Sequence, residues 1–187
     1  MKARGWTTRE QFRAAPGVLL VLRDPPSPPP PARGQPPMVP GNPAEGEEIL
    51  LALADDGHAL VLGGHVDLGT GIATAYAQLV AEELDLPMDR VAAALGDTAR
   101  SPNQGPTIAS TSIQLHALPL RAAAAQARAW LVAQAAAEWG LVAADLLTRD
   151  GSVEAPDGRR VDYAALVAGR HVELRLDLST PLKDAQQ

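Results

Sequence analysis

Glycines, hydroxyls and backbone N–H groups gather at two helix beginnings in this sequence. The first is Asp67-Leu68-Gly69-Thr70-Gly71. The second is Asn103-Gln104-Gly105-Pro106-Thr107-Ile108-Ala109-Ser110-Thr111-Ser112. The first turn of a helix has unpaired N–H donors and a partial positive charge, so it suits an anion such as a phosphate. Two such turns in one short stretch suggest a single extended, phosphate-bearing ligand. A third turn, Gly96-Asp97-Thr98, follows an apolar run, at the strand edge where ligands favour sheets flanked by helices.

Each motif alone is weak. Gly69-Thr70-Gly71 can be a plain tight turn. No Gly-Lys-Ser/Thr follows it, and a third glycine at dinucleotide-fingerprint spacing is missing. Asp97 can cap its own backbone, and Ser110-Thr111-Ser112 can be an ordinary helix cap. The histidines at 58, 65, 116 and 171 are scattered. They predict no metal site; His65, closest to the glycine turn, reads as a structural histidine with its hydrogen bonds satisfied, the alternative being contact with the ligand region.

The elements that must position these turns can be read from the apolar patterning. Residues 7–15 carry a helix-start signature, with Thr7 or Thr8 as cap and Glu10 and Gln11 answering. GVLLVL (17–22) is a strand or tail packed on another surface, or a targeting remnant. The proline cluster over 25–43 predicts an extended spacer. Apolar runs at 48–54 and 59–63 flank an Asp-Gly turn and predict a hairpin. Residues 72–84 have helical spacing, with Thr70 or Thr74 as cap and Glu82, Glu83 and Asp85 facing out. RVAAAL (90–95) predicts a strand. A long Ala-rich, buried helix runs from Ser110 or Ser112 to Trp139, kinked or restarted at Pro119. Gly140 stops it. A small β-hairpin or meander over 146–163, a short helix over 163–168 and a half-exposed strand over 171–178 follow.

These elements predict an α/β (α+β) fold: a short mixed sheet with two main helices. The expected division is an N-terminal extension and Pro-rich linker (1–46), a foldable body (47–182) and a tail (183–187). The chain has 187 residues and a net charge of −6, which argues against nucleic acid as the main ligand. It has no cysteine, which excludes disulfides, thiolate zinc sites and any iron–sulfur cluster ligated by this chain. No apolar run approaches the roughly 20 residues of a membrane span. The basic start is not followed by an apolar core and cleavage site, so no secretory signal is expected. An Ala-rich core with few aromatics buries little area per residue, which predicts dependence on a partner surface.

The run VDLGTGIATAYAQLVAEELDLPMDRVAAALGDTARSPNQGPTIASTS is followed by LRAAAAQARAWLVAQAAAEWG and DGSVEAPDGRRVDYAALV. Together they resemble the molybdopterin-binding subunit of the xanthine dehydrogenase/aldehyde oxidase family. Within it they are most similar to the bacterial branch of nicotinate dehydrogenase and isoquinoline 1-oxidoreductase-like large subunits. The resemblance covers roughly 47–182. It implies that Gly69, Thr70 and Gly71 approach the pterin and pyrophosphate. It implies that Gln104, Thr107, Ser110, Thr111 and Ser112 offer donors to the dinucleotide phosphates and neighbouring groups, with Asp97 and Thr98 shaping the wall. Many relatives have Gln where this chain has Thr70.

The implied cofactor is molybdopterin cytosine dinucleotide, shared with a larger molybdopterin-binding partner, with [2Fe–2S] clusters on a further subunit. The implied reaction is hydroxylation of an N-heteroaromatic or an aldehyde with water-derived oxygen. The family's catalytic glutamate lies late in a much longer chain. Glu82, Glu83 and Glu154 do not match it, so no catalytic residue is assigned. The expected location is cytoplasmic or peripheral to the inner membrane. Two other readings stay open: a non-catalytic assembly module that keeps the fold without cofactor, and a stand-alone nucleotide-binding protein.

Overall fold

The computed structural model describes residues 5–25, 33 and 46–184. The Pro-rich spacer expected over 25–43 therefore lies almost wholly outside the described residues. In chain order the elements are α1 (Arg9–Ala14), β1 (Val18–Arg23), β2 (Glu48–Ala54), β3 (Ala59–Gly63), α2 (Ile72–Leu84), β4 (Val91–Leu95), α3 (Leu118–Trp139), β5 (Leu147–Arg149), β6 (Ser152–Glu154), β7 (Arg160–Asp162), α4 (Tyr163–Val167) and β8 (His171–Arg175). A five-stranded mixed sheet runs β4-β3-β2-β1-β8, and β5-β6-β7 form a separate antiparallel meander. This is the mixed sheet with two main helices that the patterning predicts.

The sheet is covered on both faces. α2, α3, α4 and the meander pack on one side, through residues such as Leu51, Val61, Tyr76, Val80, Ala123, Leu131 and Tyr163. α1 covers the other through Phe12, which meets Val18, Leu20, Leu22, Ile49 and Leu60. A strand buried on both faces reads as a continuous apolar run, and β1 (VLLVLR) is one. The foldable core therefore begins before residue 47. β1 lies inside the sheet, antiparallel to β2 and parallel to β8. One irregularity sits in β2: Val21 pairs with Leu51 and Leu22 with Ile49, leaving Leu50 as a bulge. The bulge turns both Leu50 and Leu51 to the helical side.

α1 starts at a capping box. Thr8 accepts from the Gln11 backbone N–H, and the Gln11 side chain accepts from the Thr8 N–H. α3 is fed by a wide π-helical turn over Ser112–Ala117. Pro119 follows within the first turn of α3. Its ring cannot donate and presses on the carbonyl four residues back, so the chain widens ahead of it where a kink or restart was expected. Gly140 ends the helix at φ 66°. One expected surface charge is not on the surface: Glu83 is fully buried. Its Oε1 lies 2.6 Å from Arg121 Nε, and its Oε2 lies 3.5 Å from an Arg128 nitrogen. The backbone N–H of Lys183 also reaches it, at 3.2 Å. Glu83 thus ties α2, α3 and the C-terminal strap together.

Candidate functional site

β3 and β4 pair in parallel, with Gly63 opposite Leu95. Their C-terminal ends therefore lie at one edge of the sheet. β3 releases the chain into Gly64–Gly71, and β4 releases it into Gly96, Asp97 and Thr98, with the Gly96 N–H held by the Gly63 carbonyl at 2.9 Å. Topology alone brings the first and third turns together.

The second stretch is then stitched onto β3's exit. Gly64 N–H donates to Gln104 Oε1 at 2.9 Å. Val66 N–H donates to Thr107 Oγ1 at 2.9 Å. His65 sits between Ser112 Oγ at 2.8 Å and the Gln104 carbonyl at 3.2 Å. Tyr76, from α2, donates its hydroxyl to the Ser112 carbonyl at 2.7 Å, and burial raises that phenol to about 12. Ala109 and Ser110 both take positive φ, 50° and 57°. Left-handed backbone costs an L-residue about 1–2 kcal/mol, so the hydrogen bonds on either side hold the segment in a shape it would not adopt alone.

The first turn departs from expectation. α2 is capped by neither Thr70 nor Thr74; its N-cap is Gly71, left-handed at φ 75° with no side-chain bond. The N–H groups are collected by Asp67. Its Oδ1 accepts from Gly69, Thr70 and Gly71 at 3.0, 2.9 and 3.2 Å, and its Oδ2 accepts from Ala73 at 3.2 Å. An anion arriving at these amides must displace a carboxylate already there. The Ala73 N–H first, then those of Gly71, Gly69 and Thr70, hold the Asp67 carboxyl below the usual aspartate range. The sign follows: this stabilisation is complete above the unfolded value, about 3.9, and is lost as pH falls through the folded one. The difference in melting temperature between the wild type and Asp67→Asn is expected to be widest near neutrality and to close in acid. An equal difference at pH 7 and pH 3 would refute this role.

The remaining site residues divide by what their polar atoms already do. Thr107 accepts from Val66, which leaves its hydroxyl proton to offer. Thr111 donates to the Ile108 carbonyl at 2.7 Å, which leaves its lone pairs. Ser110 and Thr98 are exposed, and Gln104 is buried as a brace. Asp97 binds Arg100 at 2.7 Å, which with the Ala99 N–H keeps its carboxyl below the usual range. A groove of about 440 Å³ opens beside these turns, lined by Gly64, Val66, Asp97, Thr98, Asn103 and Arg9.

Arg9 is a wall residue that sequence reasoning missed. α1 delivers it: Arg9 N–H bonds the Ala99 carbonyl at 3.2 Å and its guanidinium bonds the Ser101 carbonyl at 2.5 Å. No local motif marks it. Asp67 was also missed as the acceptor of these N–H groups, although an Asp two residues before a glycine turn is an Asx-turn signal. His65 is a satisfied structural histidine, as its position suggested. Among the described residues no cluster of three or more His, Asp or Glu could hold a metal ion, and no helix is long and apolar enough to cross a membrane.

A groove at the C-terminal edge of a parallel strand pair, walled by glycine turns, hydroxyls and an arginine, has a donor set that suits a phosphorylated, hydrogen-bonding cofactor. Comparison with known proteins gives the same class. The family described as "Molybdopterin cofactor-binding domain" matches residues 32–183. One of the nicotinate dehydrogenase subunits of Pseudomonas putida is 48% identical over 179 residues, 94% of this chain and 15% of that protein. The chain thus spans about 15% of the length of this curated relative.

Among solved structures, quinoline 2-oxidoreductase from Pseudomonas putida 86 aligns over 62% of this chain and 15% of its own, with TM-score 0.53 and 20% identity. The Cu,Mo-CO dehydrogenase in its carbon monoxide reduced state aligns over 61% of this chain and 15% of its own, with TM-score 0.54 and 24% identity. These two likenesses speak to the fold. The extent of the family match and the 48% relative settle the assignment: this chain belongs to the molybdopterin cofactor-binding domain family of the xanthine dehydrogenase type.

Proposed function

We propose that this chain forms one wall of a molybdopterin site in a multi-subunit oxidoreductase. The carrying observation is that one sheet edge presents Gly64–Gly71 and Gly96–Thr98 side by side, with Gln104–Ser112 pinned to the first of them at Gly64, His65 and Val66. When bound, the cofactor supplies two-electron redox chemistry at its metal. This chain's residues bind and orient it. Thr98, on the groove, and Thr107 and Ser110, on the stretch held to the exit of β3, offer hydroxyl protons to phosphate oxygens. Arg9 adds a positive charge to the wall. Gln104 holds the segment in place, Thr111 turns lone pairs outward, and Asp97 fixes the Gly96 turn through Arg100. Gly69, Thr70 and Gly71 leave an open surface for a close approach: a Cβ at Gly69 or Gly71 would meet nothing within 4 Å.

The finer reading follows the family likeness. The cofactor is the cytosine dinucleotide form, the substrate an N-heteroaromatic or an aldehyde, and the oxygen comes from water. Electrons leave through [2Fe–2S] centres on a partner. Residues 47–182 form the cofactor-binding body, to which β1 adds a strand. A larger molybdopterin-binding chain completes the site. Exposed apolar side chains beside the turns support a covering partner: Leu68 is 71% exposed, Ile113 49% and Leu118 57%. The assembly would work in the cytoplasm or peripheral to the inner membrane.

A second reading has its own observation. Asp67 already satisfies the amides at the start of α2, as it would in an assembly module that carries no cofactor. One experiment separates the two. The chain is co-expressed with its genomic neighbours, the complex is purified, and molybdenum and oxidised-pterin fluorescence are measured. Cofactor is expected in the wild-type complex and at least about tenfold less with Gly71→Val, since a loss of about 1.4 kcal/mol is tenfold. The open space at Gly71 means that a valine there strains φ without clashing in the core. A stable wild-type complex containing neither molybdenum nor pterin rejects the cofactor reading and favours the module.

A further inference from the structure

His65 is 1% exposed, at the point where β3 hands the chain to the Asp67 turn. Its two ring nitrogens face partners of unlike freedom. Nε2 faces the Gln104 backbone carbonyl, which can only accept, at 3.2 Å. The neutral ring must therefore carry its proton on Nε2. Nδ1 is then bare, and it faces Ser112 Oγ at 2.8 Å. A bare nitrogen accepts, so the Ser112 hydroxyl must donate inward. Its lone pairs are what it turns outward.

The surroundings favour the neutral ring. Burial lowers His65 below the usual histidine range, and the Gln104 carbonyl only partly offsets this. His116, in the π-helical turn, packs edge-to-face on His65 at 4.7 Å. It is itself lowered to about 4, by burial first and then by the charges of His65 and Arg23. Arg23 of β1 is paired at 2.6 Å with Glu48 of β2, whose carboxyl burial raises in spite of that partner. From α2, Tyr76 contributes a hydroxyl already given to the Ser112 carbonyl. From α1, Arg9 is held by the Ser101 carbonyl.

We propose that His65 is a positioning residue that sets the hydrogen-bonding sense of Ser112, so that Ser112 meets a ligand as an acceptor and recognises an N–H or amino group of a heterocycle. This rests on the cofactor-wall reading above. It reassigns Ser112, which the family likeness made a donor to the dinucleotide phosphates and neighbouring groups. Protonating the ring reverses the sense: Nδ1–H would donate to Ser112 Oγ and release the hydroxyl proton outward.

The test uses the full chain, labelled with 15N and 13C at histidine, by imidazole NMR at pH 7.5. The expected spectrum has His65 neutral with its proton on Nε2. Ser112→Ala should move the Nδ1 resonance to the position of a nitrogen without a hydrogen bond and leave Nε2–H in place. Inorganic pyrophosphate should move neither. A proton on Nδ1, an Nδ1 resonance indifferent to Ser112→Ala, or an Nδ1 shift on adding pyrophosphate overturns the proposal. Because the measurement needs no cofactor, its failure is distinct from a wild-type complex that carries no molybdenum.

Discussion

Gly64→Ala is expected to detach the 102–104 segment from β3 and to loosen the whole proposed site. The position is close in space, not unusual in backbone: an added Cβ would overlap the Pro102 carbonyl oxygen and lie 2.7 Å from the Gln104 nitrogen. Both obstacles are main-chain atoms, so no rotamer change relieves them. If the segment moves away, the Gly64–Gln104 bond goes with it, and the two bonds of His65 are strained next. Overpacking of this kind costs about 1–3 kcal/mol. The upper end applies here because main chain must shift. Urea unfolding of the full chain measures the loss, and hydrogen exchange across 104–112 locates it. Gly5→Ala is the control, since a Cβ there meets nothing within 4 Å. A Gly64→Ala protein as stable and as protected as the control variant would show that the segment is not held in this way.

Glu83→Ala is expected to be the most destabilising single change to a charged residue. The carboxylate is fully buried and meets Arg121, Arg128 and the Lys183 N–H. Removing one partner of a buried ion pair costs about 3–5 kcal/mol, because the other charge is left without compensation. The two arginine side chains are 29% and 23% exposed. They can turn partly to water, which puts the expectation near the lower figure. Glu83→Gln should cost less, because the amide oxygen still accepts from Arg121. Denaturant titration of the three proteins decides it. Alanine and glutamine variants both within about 0.5 kcal/mol of wild type, the range of ordinary surface changes, would mean that the cluster adds no stability.

Much of this architecture is legible residue by residue. The 3.6 period gives α2 its bounds, the Asp-Gly turn gives the β2–β3 hairpin, and Gly140 marks the end of α3. The place of β1 is not legible. Five apolar residues, Val18–Leu22, read the same at the centre of a sheet as against a foreign surface, and only the pairing with β8, far along the chain, decides between them. Glu83 is a similar case. Periodicity puts it beside the buried stripe of α2, but its burial depends on two arginines that α3 brings from across the interface. At the site, the order of turns pointed to the right class of domain. The inward commitment of the Asp67 carboxylate and the Ser112 hydroxyl was not visible, because each depends on a partner's direction. Asp67 could have been recognised from its spacing to Gly69. His65 could not have been assigned a tautomer without the Gln104 carbonyl beside it.

The pairing of β1 with β8 has a consequence for how the protein is made. Val18 takes its place opposite His171, and Leu22 opposite Arg175. As the polypeptide leaves the ribosome, β2, β3 and β4 can assemble with the helix between them well before the last strand appears. β1 can join β2 early, but its other flank stays bare until residues 171–175 have been translated. A nascent protein with an apolar strand edge open for that long is a natural client for a holding chaperone, and stalled translation before residue 171 would leave that edge free to aggregate.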